Sequence, residues 1–296
     1  MRGEWIGYGV LLVLLVGCTY RLTDENWEKN GLVRLTLNWQ GNDRPEDMTY
    51  YFYKDGADRP IIRQGKSSGY EGTLPAGSYE VAVCAADPES VLLDMDKGYA
   101  KACGLARQVS ALKSADIEVA QPAYLYGTGD DLGGVKGFRA VVRELYPVSL
   151  TRILELNIKL TGREGEPVAD LTGLLTGVAS GVNIPTGELL FDTPAFMVFD
   201  TQPVSPGVYT SSLNLFGAPG SGQARYKDTD LYLTLKFEDG LEVTSSTDIT
   251  EAIDKAFETT LSVRIVLDLE IAYDEINGMV ITTTGWQGGT GEVVAP

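Results

Sequence analysis

Three cysteines, three close pairs of aspartates and no histidine define the chemistry open to this chain of 296 residues. Without an imidazole the commonest general base is missing, and with it the Ser-His-Asp and Cys-His arrangements and the usual ligand of catalytic zinc. Many enzyme classes fall at once. Asp94 with Asp96, Asp130 with Asp131 and Asp228 with Asp230 could each supply half of a glycosidase pair or oxygen ligands for calcium. None has EF-hand spacing, and in a chain with 41 acidic residues the expectation is solvated loop carboxylates, with no metal and no cofactor. Gly127-Thr128-Gly129-Asp130-Asp131-Leu132-Gly133-Gly134 lacks the Gly-Lys-Ser/Thr ending of a phosphate loop and reads as a flexible turn. Trp39, Tyr50, Tyr51, Phe52 and Tyr53 could stack on a sugar, although aromatics at strand spacing more often fill a core or a cross-strand ladder.

Cys18 has a more specific setting. It follows the apolar run Val10-Leu11-Leu12-Val13-Leu14-Leu15-Val16-Gly17, which is too short for a membrane-spanning helix of about 20 residues and has the length of a signal-peptide core. Leu15-Val16-Gly17-Cys18 resembles the bacterial lipobox, whose cysteine thiol receives a diacylglyceryl group. Residues 1–17 are therefore expected to be a cleaved signal and Cys18 the acylated N-terminus. Each buried acyl methylene contributes roughly 0.8 kcal/mol, and two or more chains anchor stably where one binds marginally. The acidic stretch Leu22-Thr23-Asp24-Glu25-Asn26 resembles the tags that direct lipoproteins to the outer face of the outer membrane, so the expected location is that membrane, lipid-anchored, at the cell surface.

The formal net charge is -17. Removing residues 1–17 takes Arg2 and Glu4 together and leaves that value unchanged. Such a surface repels nucleic acid and anionic headgroups, so a lipid rather than a basic patch is expected to hold the membrane. Cys84 and Cys103 form an even pair in a chain expected to be exported. Joined, they would close a loop worth on the order of 3 kcal/mol in the chain-entropy model. Alternatively Cys84, which alternates with Val81 and Val83, is a small buried side chain.

The elements that would carry these residues read mostly as strands. Val33, Leu35, Leu37 and Trp39 alternate with Arg34, Thr36 and Asn38, the period-2 signature of a half-buried strand. Met48 to Tyr53 is an aromatic-rich second strand, followed by a Gly/Ser/Lys loop at Gly65 to Gly69. Leu74-Pro75-Ala76-Gly77 is a turn launching a strand with Tyr79, Val81 and Val83 on one face. Weaker strands are expected at Ala115 to Val119 and Arg139 to Leu145. The pattern breaks at Tyr146-Pro147-Val148-Ser149 and restarts with Leu154, Leu156, Ile158 and Leu160 on one face. Leu231, Leu233, Leu235 and Phe237 repeat the device before Glu238-Asp239-Gly240, a hairpin turn, and Leu261 to Tyr273 forms a long strand. Asp248 with Glu251 resembles a capping box before a short helix carrying Ile249, Ala252, Ile253, Ala256 and Phe257. Leu171, Leu174, Leu175 and Val178 fit helical spacing, but Gly173 and Gly177 weaken a helix by about 1 kcal/mol each, leaving that segment open. The expected organisation is a signal (1–17), a lipidated tether (18–30), an N-terminal β-sandwich (31–147) and a C-terminal β-sandwich with a terminal strand and tail (148–296).

The lipobox, the acidic tether, Leu74-Pro75-Ala76-Gly77-Ser78-Tyr79-Glu80-Val81, the Arg152 to Leu160 strand and Gly285-Trp286 after Ile281-Thr282-Thr283-Thr284 together resemble the fimbrillin-related lipoproteins of Bacteroidetes, especially the FimB-like family of fimbrial anchor and accessory subunits. That resemblance implies an all-β fold of two tandem transthyretin-like antiparallel sandwiches with one or two short helices. It also implies no enzymatic activity, fimbrillin-like pilus subunits as partners, and assembly into type V fimbriae by strand exchange. In physical terms this is β-augmentation. Met279, Val280, Ile281, Thr282, Thr283 and Thr284 are the candidate exchange segment, the alternative being a last strand paired within its own domain. A surface glycan-binding lipoprotein of a polysaccharide-uptake system is the competing reading, since sandwiches host both tasks.

Overall fold

The computed structural model describes residues 29–40, 44–109, 116–162, 168–216, 228–259, 263–274 and 278–288. Cys18, the apolar run before it and the Gly-rich tail beyond 288 lie outside the described residues. In chain order the first strands are β1 (Asn30–Leu37), β2 (Asp47–Lys54), β3 (Ile61–Lys66), β4 (Gly69–Pro75) and β5 (Gly77–Ala86). There follow β6 (Val91–Asp94), β7 (Cys103–Ala106), β8 (Ile117–Glu118), β9 (Leu125–Val135), β10 (Val141–Leu145) and β11 (Val148–Ser149). The second half begins with β12 (Arg152–Thr161), β13 (Val168–Val178), β14 (Gly181–Asn183), β15 (Leu189–Leu190), β16 (Ala195–Asp200), β17 (Gln202–Ser205) and β18 (Val208–Leu215). It ends with β19 (Asp230–Phe237), β20 (Glu242–Asp248), the helix α1 (Thr250–Thr259), β21 (Arg264–Asp274) and β22 (Gly278–Gly288).

These strands make four sheets. An eight-stranded N-terminal sheet has the order β10-β1-β4-β3-β2-β5-β9-β11. It curls until β10 comes back alongside β9, enclosing Val33, Leu35, Met48, Tyr50, Phe52, Leu74, Val81 and Leu132. Two five-stranded sheets, β17-β18-β12-β21-β22 in front and β20-β19-β13-β16-β8 behind, face each other. Leu154, Leu156, Ile158, Leu267 and Ile271 meet Leu171, Leu175, Phe199, Leu233 and Phe237 between them. A four-stranded bridging sheet, β15-β14-β7-β6, takes strands from both sides of position 147. Through it the second core continues to Tyr51, Tyr53, Ala82 and Cys84 on the outer side of β2 and β5. The fold is thus all-β and sandwich-like, with a single α-helix among the described residues.

Most pairs are antiparallel, but β1 with β10, β12 with β21 and β16 with β8 run parallel. Each parallel pair joins strands far apart in sequence, as parallel pairing requires.

Several segments depart from the sequence reading for identifiable reasons. Gly127 to Gly134 is no flexible turn: it is the body of β9, paired along its length with β5. Gly127 and Gly129 are packing residues, because a Cβ at 127 would fall 2.6 Å from Leu150 Cδ1 and one at 129 would fall 2.6 Å from Tyr99 Oη. Gly133, at φ 68°, takes the register shift opposite Tyr79 and Glu80. The Gly65 to Gly69 loop is a two-residue hairpin turn at Ser67 and Ser68, with Lys66 opposite Gly69. The Leu171 to Val178 segment is β13, held between β16 and β19. Here tertiary pairing outweighs the weak helical spacing. The expected helix forms at α1, where Asp248 Oδ1 accepts the Thr250 N–H at 2.8 Å and Ile249, Ile253 and Ala256 are buried.

Candidate assembly edges

A chain that adds strands from partners does so at sheet edges, so the outermost strands are the first place to search. Most are blunted. β8, β11 and β15 are two residues long, and β17 is four residues with Pro203 and an irregular register. β10 carries Arg143 and Glu144, both exposed. β22 is different. Its eleven residues, Gly278 to Gly288, contain no charged side chain and no proline.

The segment Met279 to Thr284 lies in this strand and is paired with β21, with Met279 opposite Tyr273, Ile281 opposite Ile271 and Thr283 opposite Leu269. Met279 and Ile281 point into the core while Val280, at 53% exposure, faces solvent. A bulge follows, where Thr284 Oγ1 donates to the Asp268 carbonyl at 3.1 Å and the pairing resumes at Gly285. Beyond it Trp286 packs back against the core. Among the described residues no hydrogen-bonded strand continues the sheet beyond β22, and β20, the edge strand of the back sheet, lies close to it. α1 touches β22 and leads into Arg264, next to the Ile265 and Gly288 end of the hairpin. The Met279 end lies away from that entry.

The cysteines do not pair. Cys84 and Cys103 are free, buried thiols, Cys84 on β5 opposite Thr49 and Gly127 and Cys103 on β7 opposite Asp94 and Asn183. The candidate disulfide is therefore not formed in this structure, and each thiol instead fills space in its own sheet. Burial pushes the Cys84 thiol up to about 12 and raises that of Cys103.

The aromatic set read as a sugar platform is mostly interior. Tyr50, Tyr51, Phe52 and Tyr53 are all buried, because β2 has a core on each face: Tyr50 and Phe52 point into one, Tyr51 and Tyr53 into the other. Tyr53 donates to the Met95 carbonyl at 2.9 Å and Tyr50 to the Lys66 carbonyl at 3.0 Å. Burial raises the phenol pKa of all three. Trp39 donates its indole N–H to the Ser67 carbonyl at 2.6 Å and lies edge-on to Tyr126.

The aspartate pairs are surface groups. Asp94 pairs with Lys97 at 2.6 Å, and Asp130 approaches Arg143 at 3.9 Å. Asp131 accepts the N–H of Gly133. Asp230 and Asp248 stand opposite each other on β19 and β20, with Asp228 exposed. Among the described residues no cluster of three or more metal-binding side chains occurs. No helix among them is long and apolar enough to cross a membrane.

No protein-family model matches the chain, and no curated protein matches it in sequence. Solved structures match its fold. A candidate adhesin from Bacteroides ovatus superposes with a TM-score of 0.58 at 19% identity, over 81% of this chain and 89% of that one. A candidate polysaccharide-binding protein from Bacteroides thetaiotaomicron gives 0.57 at 13% identity, over 86% and 96%. The fimbrial anchor protein Mfa2 from Porphyromonas gingivalis gives 0.56 at 10% identity, over 86% and 98%. At these identities the likeness is one of fold.

Proposed function

We propose that this chain is a non-catalytic, lipid-anchored outer-membrane protein acting as an anchor or accessory subunit of fimbriae, of the FimB-like kind, joined to fimbrillin-like subunits by β-strand complementation. The observation that carries the reading is the edge of β22, eleven residues without a charge or a proline at the border of a five-stranded sheet. Natural edge strands are usually shortened or charged against unwanted pairing, so a long neutral edge suits a strand that receives or makes a partner. The likeness in fold to a fimbrial anchor protein supports the same reading. Cys18 would carry the acyl chains, and the chain from there to Lys29 would tether the fold to the membrane.

Glycan capture is the second reading, favoured by the likeness in fold to a candidate polysaccharide-binding protein. It would have to use other residues than Tyr50 to Tyr53, which are buried.

The test is gentle solubilisation of the native envelope, isolation through an internal tag and identification of co-purifying chains, with a Cys18→Ala strain alongside. Fimbrillin-like subunits are expected with the wild type, released into the medium from the Cys18→Ala strain. Recovery of glycan importers alone would overturn the fimbrial reading.

A further inference from the structure

β1 crosses the N-terminal half from one end to the other. At its start Asn30 stands opposite Pro75, the Lys29 carbonyl accepts the Ala76 N–H at 2.6 Å, and Gly77 stands opposite Val135, so β1 begins beside the last residue of β9. Its other end lies beside the first residues of β9, because Trp39, two residues past β1, is edge-on to Tyr126. Next to Tyr126, the Leu125 carbonyl accepts the Leu150 N–H at 2.7 Å, where the chain passes into the second half. The eleven residues of β9 span about 35 Å at the rise of a strand. Lys29, through which Cys18 is joined to the described fold, is therefore at the end of the first half remote from that passage. In the second half the Met279 end of β22 is also remote from it: Met279 stands opposite Tyr273, close to Ile271, whose partner Leu160 lies at the far end of β12.

Between these ends β1 is held on both flanks. Seven of its residues, Asn30 to Thr36, face β4 in antiparallel register, and five, Val33 to Leu37, face β10 in parallel register. Val33, Leu35 and Leu37 are buried in the core of this half. On the outer face Arg34 donates to both carboxylate oxygens of Glu71 on β4, at 2.9 and 3.0 Å, and the Asn38 amide donates to Glu144 on β10 at 3.1 Å. Past the last rung the Leu37 N–H donates to the Ser68 carbonyl at 3.2 Å, the Asn38 N–H to the Leu145 carbonyl at 2.8 Å and the Trp39 indole to the Ser67 carbonyl at 2.6 Å. A pull on Lys29 directed away from the second half runs along β1 and loads all these contacts together in shear. A pull across the strands would open them one after another.

We propose that β1 is a load-bearing clasp, which carries tension between the lipid at Cys18 and a partner held at the β22 edge. The proposal rests on the reading of Cys18 as the lipidated residue and of β22 as the partner edge, since these set where the tension enters and leaves. Resistance to force follows the rate of unfolding rather than equilibrium stability. A strand that must slide past two neighbours at once, dragging Val33, Leu35 and Leu37 out of a core, fails late under such a load. The fold thus places the strand nearest the tether in the middle of a sheet rather than at its border, where it would peel.

The test is single-molecule pulling on the full chain with Cys18 unacylated. One DNA handle is attached to the Cys18 thiol and the other to Val280→Cys, an exposed position on β22, while Cys84 and Cys103 are buried and stay unlabelled. A second molecule, Cys18→Ser with Ala57→Cys, moves the first handle to the exposed turn after β2. That turn lies at the same end of the sheet, since the Asp55 N–H donates to the Ser78 carbonyl, so the load enters from the same side but through β2. With the handle at Cys18 the wild type is expected to give a sharp rupture. Thr36→Pro removes an N–H from a strand paired on both sides and should lower the rupture force with the handle at Cys18 but not with the handle at 57. Arg34→Gln with Glu71→Gln, at exposed positions that leave the fold intact, should give a smaller drop with the same dependence on the handle. Gradual opening of the wild type without a rupture, rupture forces at Cys18 that neither variant alters, or equal drops with both handles would overturn the proposal. Acylation of Cys18 is read separately, by labelled palmitate in cells: its absence would remove the anchor reading without altering the rupture forces.

Discussion

Gly173 on β13 lies directly opposite Phe199 on β16, and the phenyl ring covers the glycine so closely that a Cβ there would fall 2.1 Å from Phe199 Cζ. The ring occupies the volume that a side chain at 173 would need. Both residues are buried in the core between the front and back sheets.

Gly173→Ala is therefore expected to destabilise the fold by about 1–3 kcal/mol, the usual cost of overpacking a core. Phe199→Leu in the same background should recover part of the loss, giving a favourable coupling in a double-mutant cycle. Urea unfolding of the four proteins decides it; additive effects would show that the ring does not oppose the methyl group.

The same glycine explains why this part of the chain resists reading. β1, β12, β19 and β21 are legible because one face of each is buried and the other is not, which writes alternation into the residues. β2 breaks that rule, since Tyr50 to Tyr53 are buried on both faces. In β13 and β9 the glycines that suggest a broken helix and a turn are places where a neighbour comes too close for a side chain: Phe199 over Gly173, Tyr99 and Pro185 over Gly129. Such signals depend on partners far along the chain and have no local trace. The bridging sheet is hidden for a similar reason, because β14 is three residues long and β15 two. For the candidate site, the segment at Met279 is readable as a strand, but its pairing with β21 depends on a bulge at Thr284 that only the assembled sheet defines.

Both free thiols should be silent in the native protein. Cys84 is 1% exposed and Cys103 8%, and burial holds each in its protonated form. In the full chain carrying Cys18→Ser, a thiol-reactive chromophore is expected to titrate no fast group under native conditions and two in denaturant without reductant. Two missing thiols in denaturant would show that a disulfide forms after all.

Alkaline pH should weaken the fold through the same burial. Tyr50, Tyr51 and Tyr53 have raised phenol pKa values, Tyr99 is pushed up to about 12 and Cys84 up to about 12. Each is neutral in the folded chain at a pH where the unfolded chain ionises, near 8.5 for Cys and 10 for Tyr. The unfolded state then binds fewer protons, so stability falls as pH rises. The urea midpoint is expected to hold steady up to about pH 8.5 and to drop between there and pH 12. Phenolate absorbance from the buried tyrosines should appear together with loss of native circular dichroism. Complete tyrosine ionisation in a chain that keeps its native spectrum would refute this.

Asn183 joins the two halves of the chain, and its loss should be felt in both. Its side-chain amide donates to the Ala100 carbonyl at 2.8 Å, while its oxygen accepts the Thr186 N–H at 3.0 Å and the Thr186 hydroxyl at 2.8 Å. On the backbone it stands opposite Cys103, in the sheet that takes β6 and β7 from before position 147 and β14 and β15 from after it. The core crosses at the same place, from Cys84 and Val91 to Val182 and Ile184. Two sandwiches linked only end to end would unfold separately, whereas a shared sheet over a continuous core makes each half part of the other's support. The expected thermogram is a single transition. Asn183→Ala removes three hydrogen bonds at a site that is 7% exposed and should lower that one transition by about 1–3 kcal/mol, the cost of leaving buried polar groups unpaired. A wild-type thermogram with two resolved transitions, or a variant in which only one half loses stability, would show that the halves stand independently and that Asn183 merely caps the turn to Thr186.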